Sequence, residues 1–407
     1  MSDALMPKAQ AIRVFLAFAL AYFLSTLVRA VTATLSPVLT TEFSLNAADL
    51  GLLAGGYFFG FSLTQLPLGS WLDRYGPKRM LLWFLAVAVL GCGAFAVALD
   101  FNGLLLARVM CGVGLSACLM APLTGYRRWY AKDMLIRANS WMLMSGSLGV
   151  VASTLPVQWL LPHLGWRGVF GVLGVLLVLA MVVIIRVVPR WQVSAPVVQD
   201  APTKASYAQV WRDPYFQKMA PLAFFAYGGL IAVQTLWAAP WMIKVNGYTP
   251  LQAASGLFAL NVTLLMAYWW WGWSNPRLTA RGWTTVKLIT VCVPASLALL
   301  GLTIISAQQS LVPTTVILVM YCVVCTVVSL AQPSVGMAFP AALAGRALSA
   351  YNLVIFSGIF AMQWGIGLVV DTLRKLGWSE VAAFQGAFTV LLLLSAASYI
   401  YFLRKKA

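Results

Sequence analysis

Gly69-Ser70-Trp71-Leu72-Asp73-Arg74-Tyr75-Gly76-Pro77-Lys78-Arg79 is almost the only dense charge cluster in the first quarter of the chain. It sits between two long apolar segments. Between Asp73 and Arg79 come one acid, three bases and a Gly-Pro pair that breaks a helix. The next apolar segment begins at once, at Met80. So short a connector forces the flanking segments to run antiparallel across a membrane. Its bases place it on the cytoplasmic side, because positive charge is held back during insertion.

Working outward, the composition fixes the solvent. The chain is 61% hydrophobic and 9% charged, with 17 Trp, whereas soluble domains carry about 25% charged residues. A soluble core has no room for that much apolar surface. A span needs about 20 apolar residues to cross about 30 Å of hydrocarbon. Twelve are predicted, at 11–36, 50–71, 80–99, 103–125, 140–161, 167–188, 219–242, 252–273, 286–306, 312–334, 348–372 and 382–403. Continuous apolar runs of this length fit helices and not the weak alternation of a β-barrel. The expected fold class is an all-α polytopic membrane protein. Pro196, Asp200, Pro202, Lys204, Arg212, Asp213 and Pro214 break the apolar rhythm at mid-chain. They predict a cytoplasmic linker at 190–218 between six-helix bundles at 1–189 and 219–407. Asn46 or Ser44 is placed to cap the second helix, with Asp49 in its first turn.

The net charge of +17 looks like a nucleic-acid signal, but its distribution argues otherwise. With the N-terminus inside, most of the 27 bases fall in cytoplasmic segments, and Arg167, Lys244, Arg374 and Lys375 fall on the other side. That asymmetry is orientation chemistry. It predicts both termini in the cytoplasm, an inner (plasma) membrane location, a lipid bilayer as partner and no nucleic acid. The first apolar segment is too long for a cleaved signal peptide. Tyr268-Trp-Trp-Trp271 with Trp273 reads as an interfacial belt at the cytoplasmic end of span eight.

The 69–79 stretch resembles the signature loop between the second and third helices of the major facilitator superfamily of transporters. Gly69, Asp73, Arg74, Gly76, Lys78 and Arg79 carry the resemblance, and Trp71 stands where Leu is usual. An ordinary basic loop obeying the positive-inside rule is the other reading. Arg108, followed by Gly112 and Gly114 in span four, resembles a second pattern of the family. Snorkelling of Arg108 toward the outer end is its alternative. The second half echoes the first at a constant offset: Pro37 with Pro240, Gly69 with Gly272, Arg74 with Arg277. The resemblance implies two bundles rocking about a central site near mid-depth, in a chain that works as a monomer. It also implies a conformational lock. Asp73 would meet the N-terminal end of span eleven when the cytoplasmic side closes, with Arg346 and the rest of the loop alongside, and Arg108 is counted in the same lock.

Arg29 lies near mid-depth in span one, where Arg costs about 2.5–3.5 kcal/mol on insertion scales. It must face a wet cavity, an anion or backbone carbonyls. It precedes Thr32, Thr34 and Pro37. This resembles span one of facilitator organic-anion and organic-phosphate carriers, in which an Arg so placed binds the substrate's anionic group. The phosphate carriers add a second Arg in span seven, where this chain has Ala232 with Gln234 nearby. One unpaired Arg favours a singly charged anion such as a carboxylate. Gln234 and Trp237 beside Pro240 read as cavity chemistry, or else as a helix-bonded Gln and a lipid-facing Trp. Tyr22, Asn261, Tyr351, Asn352 and Gln363 complete the candidate substrate-binding set.

None of the ten acids lies near the middle of a span, and Val28 stands where many carboxylate symporters place an acid. Anion exchange or facilitated diffusion is therefore expected over proton symport through a carboxylate. The six cysteines all fall within spans. Cys322 and Cys325 form a CxxC without His or acid neighbours, which reads as packing. His163, beside Pro162, reads as a solvated loop residue. With no catalytic constellation, phosphate loop or metal cluster, neither enzyme activity nor a cofactor is expected. Two rivals stay open. A multidrug or metabolite exporter would want an acid in its aromatic cavity, and span five (Gly146, Gly149, Ser153, Pro156) departs from the exporters' Gly-Pro-Gly-Gly pattern. A transporter-like sensor would add a cytoplasmic signalling extension.

Overall fold

The computed structural model describes residues 6–130, 132–189, 207–308 and 314–405. Most of the expected linker, 190–206, lies outside them. Among the described residues there is no strand.

The first half forms α1 (Lys8–Phe43), α2 (Ala47–Leu63), α3 (Gln65–Tyr75), α4 (Pro77–Val97), α5 (Phe101–Leu115), α6 (Ala117–Trp129), α7 (Lys132–Ala152) and α8 (Leu155–Val187). The second half begins with α9 (Tyr207–Arg212), α10 (Pro214–Leu222), α11 (Gly228–Ala232) and α12 (Ala238–Lys244). It continues with α13 (Pro250–Ala280), α14 (Thr285–Ile305), α15 (Thr314–Cys325), α16 (Ala331–Ala338), α17 (Ala341–Lys375) and α18 (Glu380–Arg404).

Among the described residues, ten segments are long and apolar enough to cross a membrane. Two further spans bring the total to the expected twelve. The 17 residues of α2 run on into α3 past a break at Thr64. Helical geometry within α8 fails at Gly165 (φ 62°), so its first part continues α7 and the remainder is the next span. The protein is an all-α polytopic membrane chain.

Local chemistry explains several boundaries. Span one was expected to end at 36, yet α1 continues through Pro37 to Phe43. Pro37 has no N–H to offer Ala33, and the Ser36 hydroxyl donates to that carbonyl instead (2.8 Å). Span four breaks at Ser116, between α5 and α6. The Thr64 hydroxyl donates to the Ser116 hydroxyl (2.8 Å), so two helix breaks meet. Asp213 caps α10 by accepting from the Phe216 N–H (2.9 Å), with Pro214 in the first helical position.

The chain divides into two compact units: Met1–Val31 with Phe59–Lys204, and Thr32–Phe58 with Ala205–Ala407. α1 and α2 thus contribute to both. In the first unit α4 packs against α5 and α8, with Phe95 stacked on Phe170 (3.9 Å) and edge-on to Trp166 (5.5 Å). In the second unit Trp241 packs on Phe388 (4.4 Å) and Trp237 stands edge-on to Phe384 (6.1 Å).

Candidate substrate site

Span seven is not a uniform α-helix. Two π-helical turns, Ala223–Tyr227 and Val233–Trp237, interrupt it. A π turn inserts a residue and shifts the helix face beyond it, and such bulges recur at functional sites. The second turn carries Gln234, Thr235 and Trp237, all buried. The Gln234 amide donates to Asn261 Oδ1 (2.8 Å), and the Asn261 amide donates to the Leu257 carbonyl (2.8 Å). The Gln363 amide of α17 donates to Thr235 Oγ1 (2.8 Å), and the Trp237 indole N–H donates to the Gln363 carbonyl (3.0 Å). Gln363 Oε1 is buried with no hydrogen-bond partner. A buried acceptor left open costs about 1–3 kcal/mol, so this network has capacity for one more donor.

Tyr351 and Asn352 form a second cluster. They precede Gln363 on the same helix by about three turns, or about 16 Å. The Tyr351 hydroxyl donates to the Met219 carbonyl (3.5 Å), and its ring stands edge-on to Phe216 (6.0 Å). Asn352 Oδ1 accepts from the Gln332 amide (2.6 Å). The six predicted residues of the second unit are therefore brought together as two clusters.

In the first unit Arg29 is half-buried, and its Nε is buried without a partner. Arg108 is fully buried rather than snorkelling. Its Nη1 donates to the Val28 carbonyl (2.9 Å) and its Nη2 to the Arg29 carbonyl (3.3 Å). Arg108 thus fixes the span-one backbone where Arg29 leaves it. Tyr22 lies against Gly146, where a Cβ would run into its ring. One turn on, the Thr26 hydroxyl donates to the Gly146 carbonyl (2.7 Å).

The signature-loop residues have separable roles. Gly76 joins α3 to α4 at φ 78°, a left-handed conformation that favours glycine. Lys78 Nζ donates to the Ile185 (2.7 Å) and Val188 (2.6 Å) carbonyls, closing the C-terminal end of α8. The Arg74 guanidinium lies over the Tyr75 ring (5.3 Å). Open space surrounds the position of a Gly69 Cβ. Partial desolvation raises the Asp73 carboxyl above its ordinary range, and the Arg127 guanidinium pulls it part of the way back. Arg79 is exposed, and Arg346, in the second unit, is half-buried.

Sequence reading passed over Thr235 and Asp371. Thr235 stands between two residues that were singled out, so a polar Gln-Thr pair at mid-span was the available signal. Asp371 is one of the ten acids that lie away from mid-span, and its partners lie more than three hundred residues away.

Polar side chains are thus bonded to one another inside a chain of twelve apolar spans. The chain belongs to the Major Facilitator Superfamily, which matches residues 18–363. Over 227 residues it is 30% identical to the 3-(3-hydroxy-phenyl)propionate transporter of Escherichia coli, covering 54% of each chain. Over 204 residues it is 25% identical to the "Probable L-galactonate transporter" of Escherichia coli, covering 48% of this chain and 42% of that one. The aligned stretches thus span about half the length of these relatives. Among solved structures, an inward-facing, unoccupied bacterial homologue of the human lysosomal transporter Spinster superposes with a TM-score of 0.77. It is 19% identical, over 98% of this chain and 97% of that one. A D-xylose-proton symporter gives 0.78 at 13% identity over 98% of both chains. At these identities the likeness is one of fold.

Proposed function

We propose that this transporter moves a small organic anion, a monocarboxylate, by alternating access, as an exchanger or facilitator. Arg29 carries the reading: a half-buried guanidinium at mid-span whose Nε has no partner. An anion offers a two-pronged acceptor, and charge-assisted pairs of this kind are about twice as strong as neutral hydrogen bonds. The relative named for a hydroxyphenylpropionate supports a carboxylate. In this reading Gln234 and Trp237 shape the wall of the site, and the open Gln363 Oε1 accepts from a donor group elsewhere on the anion. Asp73 acts with Arg346 as a lock on the cytoplasmic side, between six-helix halves joined by 190–218. Both termini face the cytoplasm in the plasma membrane, and the monomer is the working unit.

The test is ligand affinity measured beside stability, with a panel of aliphatic and aromatic monocarboxylates in a thermal-shift screen. Arg29→Lys keeps the charge and loses the fork, so affinity is expected to fall by about tenfold or more with little loss of melting temperature. Arg29→Ala is expected to abolish binding. Near-parental affinity in a folded Arg29→Ala protein overturns the anion reading in favour of a neutral or cationic substrate.

A further inference from the structure

The first turn of an α-helix leaves its N–H groups without intrahelical partners. At the start of α2 the local sequence satisfies two backbone donors. The Asp49 N–H donates to Asn46 Oδ1 (2.8 Å), and the Asn46 N–H donates to Asp49 Oδ2 (3.2 Å). The next two donors go to a different helix. The Ala47 N–H donates to Asp371 Oδ1 (3.1 Å) and the Ala48 N–H to Asp371 Oδ2 (2.7 Å).

Asp371 lies near the C-terminal end of α17, where the helix dipole disfavours an acid and favours bases such as Arg374 and Lys375. Its grip on the N-terminus of α2 offsets that placement. Below the grip the two helices touch backbone to backbone. A Cβ on Gly367 would run into the Ala47 carbonyl, and one on Gly51 into the Gln363 carbonyl. Further along, Phe58 stacks on Phe356 (6.3 Å).

Folding of α2 does not require Asp371, because Asn46 and Asp49 already cap it. Ala47, Ala48 and Asp371 are only half-buried, so water can take over the two donors when the carboxylate leaves. The seam is close, and the bond that ends it is replaceable. α2 also passes from the second unit to the first between Phe58 and Phe59.

We propose that Asp371 is a latch. Its carboxylate, seated on the Ala47 and Ala48 N–H groups, holds α2 against α17 at the end opposite the Gly69–Arg79 loop. Release of this cap is the step that opens the pathway at that end. The latch rests on the alternating-access reading and is independent of what is carried.

The test is a spin-label distance measurement on the full chain in lipid nanodiscs, without substrate. Labels are placed at Val38→Cys and Leu376→Cys, both exposed positions, after Cys292→Ser removes the half-exposed native thiol. Asp371→Asn is expected to move the populations toward a longer distance by about tenfold, the size of a charged helix cap. Gly367→Ala leaves the carboxylate in place but wedges the seam, and is expected to lengthen the distance as well. It carries the same test if the Asn variant does not fold. Unchanged distances in folded variants overturn the latch. So does a fall in melting temperature with one merely broadened distribution, which would make Asp371 a structural cap. A protein that binds no carboxylate still gives this readout, so the latch and the anion reading fail separately.

Discussion

Asp73 shows how a single side chain ties stability to mechanism. Partial desolvation raises its carboxyl above the ordinary value of 3.8, with Arg127 opposing. Folded, it holds a proton to higher pH than it does unfolded. Ionised Asp73 therefore costs stability at neutral pH, and the cost vanishes as pH falls below the unfolded value. Asp73→Asn is expected to raise the melting temperature slightly at about pH 7 and to leave it unchanged at about pH 3.5. A less stable Asn variant at neutral pH contradicts this account of the site. Under the lock reading the same substitution slows transport, so it separates fold from function. The sequence showed this loop as charge and glycine at fixed offsets, and that was enough to point to the family. It did not show that Lys78 closes α8, because a carbonyl acceptor leaves no mark on side-chain identity. Asp371 was hidden for the same reason, since backbone N–H groups at Ala47 and Ala48 are its partners.

At the scale of elements, apolar length made the spans legible and left their irregularities hidden. The break at Thr64 has a signal three residues on, where Pro67 has no N–H for the Leu63 carbonyl, but the break at Ser116 carries no such mark, and the Thr64 hydroxyl donating to the Ser116 hydroxyl joins the two. The π turns of span seven are equally silent, because inserting a residue into a helix changes its face and not its composition. Those turns matter, since the second one buries Gln234 and Thr235 beside their acceptors and donors. The Gln234–Asn261 pair offers a test of coupling. Gln234→Leu alone leaves Asn261 Oδ1 buried and unpaired, at a cost of about 1–3 kcal/mol. Adding Asn261→Leu removes the second group as well. The double variant is therefore expected to be more stable than the sum of the two singles, in a double-mutant cycle read by chemical unfolding. Strict additivity would mean that the two amides do not depend on one another.

Across the whole molecule, charge decides orientation. The N-terminal end of span seven and the C-terminal end of α18 meet through basic side chains. Lys405 Nζ donates to Gln217 Oε1 (2.9 Å), and the Lys218 ammonium lies over the Phe402 ring (5.1 Å). The opposite end of the second unit is tied by Lys244 and Glu380 (3.2 Å), a half-exposed pair worth about 0–1 kcal/mol. One end thus collects bases in excess and the other balances its bases with acid, and a net charge of +17 is sorted accordingly. Under the proposed topology, retention of positive charge on the inner side sets the direction of every span. Two exposed positions test it on intact cells with a membrane-impermeant thiol reagent. Trp211→Cys lies on α9, beside the basic end, and Leu376→Cys just past the end of α17. The second is expected to react from outside, and the first only after the membrane is opened. The reverse pattern would turn the protein over, moving the Asp73 loop to the outer face and the Asp371 seam to the cytoplasmic one.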